Sequence, residues 1–147
     1  MINTAVTGSP AGKPAKQSAL GRVLLVEDDA ILAMSLEDAL LRGGADEVVI
    51  CHTMRATMDQ LDKRKRWDAM VIDVHLADRD DGWALAELVD LLGPRRPRIA
   101  FSTGSPGEIP PDIARMGPVF EKPYDPDKLV SVLVSGNRKG LFSRLLR

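Results

Sequence analysis

The sequence contains little of what several large classes of protein depend on. Cys51 is its only cysteine, which excludes an internal disulfide and any metal site built from several thiolates. The formal net charge is only -1, which argues against a protein that coats nucleic acid by charge. No apolar run approaches the length of a membrane span, and residues 1–16 lack the apolar stretch of an export signal. We therefore expect a cytoplasmic protein without a membrane span.

The rest of the composition is typical of one globular domain. Of the 147 residues, 44% are hydrophobic and 28% are charged, and a chain of this length can bury a core without disulfides. Residues 1–20 are rich in Gly, Ala, Pro, Ser and Lys and show no periodicity, which predicts a flexible leader. Periodic patterning then extends over residues 21–136, where we place the domain.

The last segment, residues 137–147, has a pattern of its own. Leu141, Phe142, Leu145 and Leu146 fall on one helical stripe, with basic residues around it. This pattern is typical of a basic amphipathic helix. Such a tail either packs on its own domain or docks on a partner or an anionic surface.

Short apolar runs alternate with segments of helical periodicity along the domain. The runs predict strands, and apolar residues spaced three or four apart predict the helices between them. The predicted strands cover residues 23–26, 48–50, 70–72, 99–101 and 119–120. Short strands that are apolar on both faces and alternate with helices indicate a parallel sheet covered on both sides, which is an α/β fold.

Capping and breaking residues locate the predicted helices. Asp29 is a candidate N-cap for the first helix, which Gly43 and Gly44 end, and Asp125 is a candidate N-cap for the last, which starts at Pro126. Further helices are predicted over residues 54–63 and 83–92, with an acidic loop at residues 78–81 before the latter. Between Gly104 and Gly117 three prolines predict a helix that is short, displaced or partly unwound. They are Pro106, Pro110 and Pro111.

Polar side chains follow the predicted strands at their carboxyl ends, which meet at one edge of a parallel sheet, where such sheets bind ligands. These side chains are Glu27, Asp28, Asp73, Thr103 and Lys122. Three carboxylates at close range raise one another's pKa unless a cation neutralises them, and oxygen ligands without His or Cys favour Mg²⁺. With Mg²⁺ and Lys122 offsetting charge, Asp73 is a candidate nucleophile toward phosphorus, and Thr103 a candidate hydrogen-bond donor to a phosphoryl oxygen.

Around these residues the sequence resembles the response-regulator receiver family of two-component systems. The motifs are VLLVEDD at residues 23–29, VIDVHL at 71–76, DG at 81–82, FSTG at 101–104 and EKP at 121–123. Each is weak alone, but five in the family's order form a joint signal over roughly residues 22–135. The resemblance implies a doubly wound, flavodoxin-like sheet of five parallel strands in the order 2-1-3-4-5. It also implies a stand-alone module that receives a phosphoryl group from a histidine kinase or phosphotransfer protein.

The resemblance implies a role for each residue of the metal site. Asp28 and Asp73 resemble direct Mg²⁺ ligands, and Glu27 resembles a ligand that acts through water. The backbone carbonyl of His75 resembles the third ligand. Apart from the resemblance, we interpret His75 as a loop residue whose side chain tunes access rather than as a side-chain ligand.

The resemblance also implies the residues that handle the phosphoryl group. Asp73 resembles the phosphoacceptor, Thr103 the switch hydroxyl and Lys122 the phosphate partner. The peptide bond from Lys122 to Pro123 is a candidate cis bond.

Two departures from the family predict an unusual signalling face. Leu76 and Ala77 stand where the family usually has Met-Pro, and the loop to Gly82 is one residue longer. Val119 stands three residues before the lysine, where most members have an aromatic switch residue.

Ordinary structural roles compete with these functional assignments. An Asp at the start of a helix is commonly a cap, and we assign the cap to Asp29 and the metal to Asp28. The remaining notable side chains are assigned to packing or to the surface. They are Cys51, His52, Trp67 and Trp83.

Three functions are compatible with the sequence. The first is a phosphoacceptor that signals by contact with an unidentified output protein and does no chemistry beyond self-phosphorylation and autodephosphorylation. We expect no DNA binding, because too little chain follows the domain for such an output domain. The second is a phosphorylation-independent interaction module. The third is a phosphohydrolase with an aspartyl-phosphate intermediate, although Asp73-Val74-His75 lacks the Asp-x-Asp pair of phosphatases with similar topology.

Overall fold

The computed structural model describes residues 20–63, 65–76, 88, 90–93 and 96–146, with residues 137–146 as backbone only. The predicted leader, apart from Leu20, and the predicted acidic loop at residues 78–81 lie outside these residues. Most of the predicted helix at residues 83–92 also lies outside them, although Leu88 and residues 90–92 are helical.

The described strands form one parallel sheet. They are β1 (Gly21–Val26), β2 (Ala45–Cys51), β3 (Ala69–Asp73), β4 (Arg98–Thr103) and β5 (Val119–Glu121). Their order across the sheet is β2-β1-β3-β4-β5, and each neighbouring pair is parallel. The predicted α/β class and the strand order 2-1-3-4-5 are therefore confirmed.

The helices begin and end largely where the sequence predicts. They are α1 (Ala30–Arg42), α2 (Met54–Asp62), α3 (Pro111–Ala114) and α4 (Pro126–Leu146). Asp29 caps α1, because its side chain accepts hydrogen bonds from the backbone N–H groups of Ile31 and Leu32, and Gly43 ends the helix. Asp125 accepts from the Asp127 N–H at 2.9 Å in the first turn of α4, as expected of an N-cap.

Side-chain alternation along the strands divides the core between the two faces of the sheet. One face carries Leu24, Met70 and Phe101, which pack with Met54 of α2. The other face carries Val23, Leu25, Val71 and Ala100, and α1 and α4 cover it with Leu36, Leu40, Leu129 and Leu133. The sheet is therefore doubly wound.

The proline-containing segment after β4 is confirmed as a broken helix. A 3₁₀ turn spans Pro106–Glu108, and α3, which follows it, is only four residues long. Proline lacks the N–H that would extend a helix, so each short element begins at a proline.

The last helix continues beyond residue 136, so the backbone of the predicted tail is helical through residue 146. The side chains that make the tail amphipathic lie outside the described residues. Nowhere in the described part of the chain does a helix combine the length and apolar character needed to cross a bilayer.

Candidate functional site

Backbone hydrogen bonds beyond the strand ends hold the polar residues at one edge of the sheet. The N–H of Glu27, just past β1, donates to the carbonyl of Cys51 at 2.9 Å. The N–H of Lys122, just past β5, donates to the carbonyl of Thr103 at 2.8 Å. Asp73, the last residue of β3, pairs in register with Ser102 of β4. The loops that carry the site therefore continue the hydrogen bonding of the sheet.

Three carboxylates come together at this edge. Glu27, Asp28 and Asp73 each offer an oxygen that lies within 4.8 Å of the others. Glu27 and Asp73 are buried, whereas Asp28 is exposed. The cluster therefore has two buried acids and one acid, Asp28, at its solvent-exposed opening, which we call the acidic mouth.

The Lys122 ammonium lies between the two buried carboxylates. Its Nζ donates to Asp73 Oδ2 at 3.1 Å and to Glu27 Oε2 at 3.2 Å. Backbone N–H groups also bind these acids: Asp29 N donates to Glu27 Oε2, and His75 N donates to Asp73 Oδ1, both at 3.0 Å. Each buried carboxylate is thus held by one backbone amide and one ammonium group.

Burial dominates the electrostatics of the two acids. It raises the pKa of Glu27 to about 7, because the N–H of Asp29 and the charge of Lys122 only partly compensate and the charge of Asp73 adds to the effect. Burial also raises the pKa of Asp73, against the hydrogen bond from His75 N and the charge of Lys122. Burial acts to lower the pKa of Lys122, but the charges of Asp73 and Glu27 outweigh it and raise that pKa overall. The lysine therefore stays charged beside two acids that hold protons unusually well.

The donor set fits a divalent cation. Within the described residues, Glu27 Oε1 is buried and has no hydrogen-bond partner. A buried acceptor without a donor is costly, and here it adjoins two further carboxylates. Carboxylate oxygens without thiolate or imidazole are ligands suited to Mg²⁺ or Ca²⁺. Glu27, Asp28 and Asp73 are the residues that would hold such an ion.

Thr103 ends β4 at the same edge of the sheet and is fully buried. Its Oγ1 accepts a hydrogen bond from Ser105 N at 2.9 Å, which leaves the hydroxyl proton available for another acceptor. Its role as a switch hydroxyl stays a prediction.

His75 lies in the loop after β3, as expected. Besides the bond from its N–H to Asp73, its Nε2 lies 3.1 Å from Glu108 Oε1 in the 3₁₀ turn that follows β4. The side chain therefore reaches across the edge of the sheet, and the use of its backbone carbonyl as a ligand stays a prediction.

The hydrogen bond between Ser102 and Tyr124 is a feature of the site that the sequence does not predict. Ser102 Oγ and the Tyr124 hydroxyl are 2.8 Å apart, and Ser102 is fully buried. Tyr124 also lies beside Phe120, with ring centroids 5.7 Å apart. The available signal was that the only tyrosine of the chain stands two residues after Lys122.

His52, which the sequence places in packing or at the surface, contacts the site. Its Nδ1 lies 2.9 Å from the Glu27 carbonyl, so it contacts the loop that carries the acidic pair.

Comparison with solved structures identifies the fold. A response regulator receiver domain from Methylobacillus flagellatus is 20% identical with a TM-score of 0.66, over 79% of this chain and 98% of that chain. A receiver domain protein from Bacillus halodurans is 20% identical with a TM-score of 0.64, over 78% and 94% respectively. A response regulator from Burkholderia pseudomallei is 18% identical with a TM-score of 0.60, over 84% and 72%. No family model matches the sequence, and no curated protein is significantly similar to it.

Proposed function

We propose that this chain, which has the fold of a response-regulator receiver domain, accepts a phosphoryl group on Asp73 from a histidine kinase or phosphotransfer protein. One observation carries the proposal: Lys122 Nζ bridges Asp73 and Glu27 inside a cluster of three carboxylates. A buried acid with a raised pKa beside a charge partner marks a candidate functional site.

In the proposed reaction an oxygen of Asp73 forms a bond to phosphorus while the bond from phosphorus to the donor imidazole nitrogen breaks. Lys122 already lies 3.1 Å from Asp73 Oδ2, and its ammonium would pair with the phosphoryl oxygens as they arrive. Thr103 would donate its hydroxyl proton to one of those oxygens. The chain itself carries out only this self-phosphorylation and the later hydrolysis of the acyl phosphate.

Mg²⁺ is the proposed cofactor. Bound by Glu27, Asp28 and Asp73, with the carbonyl of His75 as a further ligand, it would offset the charge of the incoming phosphoryl group. The similar Burkholderia pseudomallei protein was crystallised with a phosphorylated aspartic acid and a calcium ion, which supports a site of this kind.

An apolar surface beside the acidic mouth supports docking of a protein donor. Ile31 and Met34 lie in the first turns of α1, and their exposed fractions are 79% and 67%. A spacing of three residues places them on one helix face, immediately after Asp28 and Asp29. Neighbouring exposed apolar side chains that form one patch, unlike isolated ones, mark a candidate protein contact.

Phosphorylation by a small donor tests the proposal. We would incubate the protein with acetyl phosphate and Mg²⁺ and measure the intact mass. The wild-type protein is expected to gain one phosphoryl group and Asp73→Asn to gain none. Asp46→Asn, which changes an exposed carboxyl on β2, is the matched control and should behave like wild type.

Each alternative function predicts a different result in the same assay. Absence of any adduct on the wild-type protein would contradict the proposal and favour a phosphorylation-independent interaction module. Turnover of an external phosphoester that depends on Asp73 would favour a hydrolase.

A further inference from the structure

The turn that carries Lys122 follows a short strand at the edge of the sheet. β5 has only three residues and, among the described strands, pairs with β4 alone, through the pairs Phe101–Val119, Ser102–Phe120 and Thr103–Glu121. A lysine side chain has many rotamers, so a fixed ammonium position requires a fixed backbone beneath it.

Two hydrogen bonds fasten this turn to the end of β4. The N–H of Lys122 donates to the Thr103 carbonyl at 2.8 Å, and the Tyr124 hydroxyl lies 2.8 Å from Ser102 Oγ. These anchors lie on either side of the Lys122–Pro123 step and end on adjacent residues of one strand. The backbone is therefore fixed at Lys122 by the amide hydrogen bond and two residues later, at Tyr124, by the side-chain hydrogen bond.

The burial of Ser102 explains why its hydroxyl pairs with that of Tyr124. Ser102 is fully buried, so its hydroxyl loses water on folding and needs a protein partner. Alternation along β4 directs Ser102 to the sheet face opposite that of Thr103. On that face Tyr124 and Phe120 pack against the core cluster to which the sheet, α1 and α4 contribute. The Tyr124 ring is thus held by packing and its hydroxyl by Ser102.

We propose that Tyr124 is a positioning residue for Lys122. Its bond to Ser102 fixes the turn after β5, so that the Lys122 ammonium stays between Glu27 and Asp73. This role deepens the proposed function and rests on it, because an ammonium held in a fixed position stabilises the charge that develops on a phosphoryl group during transfer. It also identifies an aromatic hydroxyl that acts from the opposite sheet face, in a chain whose usual switch position is Val119.

The test removes single hydroxyl groups. Tyr124→Phe keeps the ring and loses the bond to Ser102. Thr57→Val is the matched control, because Thr57 is also fully buried and its hydroxyl donates to the Thr53 carbonyl at 2.8 Å, within α2 and its cap. The first measurement is the phosphorylation rate with acetyl phosphate at saturating Mg²⁺. Because the bond lost in Tyr124→Phe fixes the turn that carries Lys122, we expect a phosphorylation rate lower by about two- to tenfold in that variant. The bond lost in Thr57→Val lies in α2, so the rate of that variant should be unchanged.

A second measurement does not need phosphorylation. The ammonium signal of Lys122 in ¹H–¹⁵N correlation spectra is assigned by its loss in Lys122→Ala. It should shift in Tyr124→Phe and keep its position in Thr57→Val. Ser102→Ala should reproduce both effects of Tyr124→Phe, and the double variant should be no worse than either single variant, because the two residues share one bond.

The positioning role of Tyr124 and the proposed phosphorylation of Asp73 can be contradicted independently. A Tyr124→Phe protein whose rate and ammonium signal both match those of Thr57→Val would overturn the positioning role. A wild-type protein that forms no adduct, while the ammonium signal still moves in Tyr124→Phe, would overturn the proposed function and leave the placement of Lys122 by Tyr124 standing.

Discussion

At the scale of single residues, Glu27 determines how the stability of the metal-free protein depends on pH. Its pKa is about 7 in the folded protein against an ordinary value of 4.5, so the folded state binds more protons than the unfolded state between these values. The stability that Glu27 contributes is therefore present at low pH and is lost as the pH rises through about 7. The raised pKa of Asp73 acts in the same direction.

Replacement of Glu27 by glutamine should isolate this effect. In metal-free buffer, the free energy of unfolding of Glu27→Gln relative to wild type should increase by on the order of 2 kcal/mol between about pH 5 and about pH 8. The measurement is urea unfolding at both pH values, with the partly exposed Glu37→Gln as control. Parallel pH profiles for wild type and Glu27→Gln would contradict the raised pKa.

Protons and Mg²⁺ should compete for the same carboxylates. Because Glu27 must be ionised to bind a cation, Mg²⁺ should raise the melting temperature more at about pH 8 than at about pH 6. Glu27→Gln should remove most of this pH dependence. Equal Mg²⁺ stabilisation at both pH values, measured by differential scanning fluorimetry, would show that the cation binds elsewhere.

At the scale of elements, α1 is the helix that begins next to the exposed acid Asp28, so its exposed face is the candidate docking surface for a protein donor. Ile31→Asp should slow phosphotransfer from a phosphohistidine-bearing protein by about fivefold or more, because it places a charge on the exposed apolar face. Leu41→Asp, at the far end of α1 and 47% exposed, is the matched control. The rates with acetyl phosphate should be equal in both variants. Equal rates with the protein donor as well would exclude this face of α1 as the docking surface.

Gly117 sets how closely β5 approaches β4. A Cβ at this position would overlap the backbone carbonyl of Ile99, so Gly117→Ala should lower the free energy of unfolding by about 2 kcal/mol and displace the turn that holds Lys122. Gly136→Ala in α4 faces open space and should be neutral or stabilising. Urea unfolding of both variants checks the prediction, and equal stabilities would refute the close approach.

Most elements could be predicted because their signals are local. The buried strands β1 and β3 read as apolar runs, and the caps Asp29 and Asp125 stand beside the helices that they start. The edge strand β2 was recognised only at residues 48–50, because its first half carries exposed Asp46 and Glu47, which resemble a loop. Its pairing with β1, including the ion pair between Arg22 and Glu47, is not local and left no periodic signal.

The whole molecule assembles the site from distant parts of the chain. Lys122 and Glu27 are 95 residues apart in sequence, and Lys122 and Asp73 are 49 apart. Their convergence could be predicted because parallel strands end at one edge of the sheet. The hydrogen bond between Ser102 and Tyr124 could not be predicted in this way, because the positions of the strand ends determine which residues come near one another but not which buried hydroxyl groups pair.

We propose that the polar residues at this edge of the sheet transfer a phosphoryl group to one particular carboxylate, that of Asp73, with the help of a cation. After incubation with acetyl phosphate, borohydride reduction converts an aspartyl phosphate to homoserine, and peptide mass spectrometry locates the converted residue. We predict homoserine at position 73 when Mg²⁺ is present and little or none when a chelator replaces it. Conversion at another aspartate, or equal conversion with and without Mg²⁺, would contradict Mg²⁺-dependent phosphorylation of Asp73.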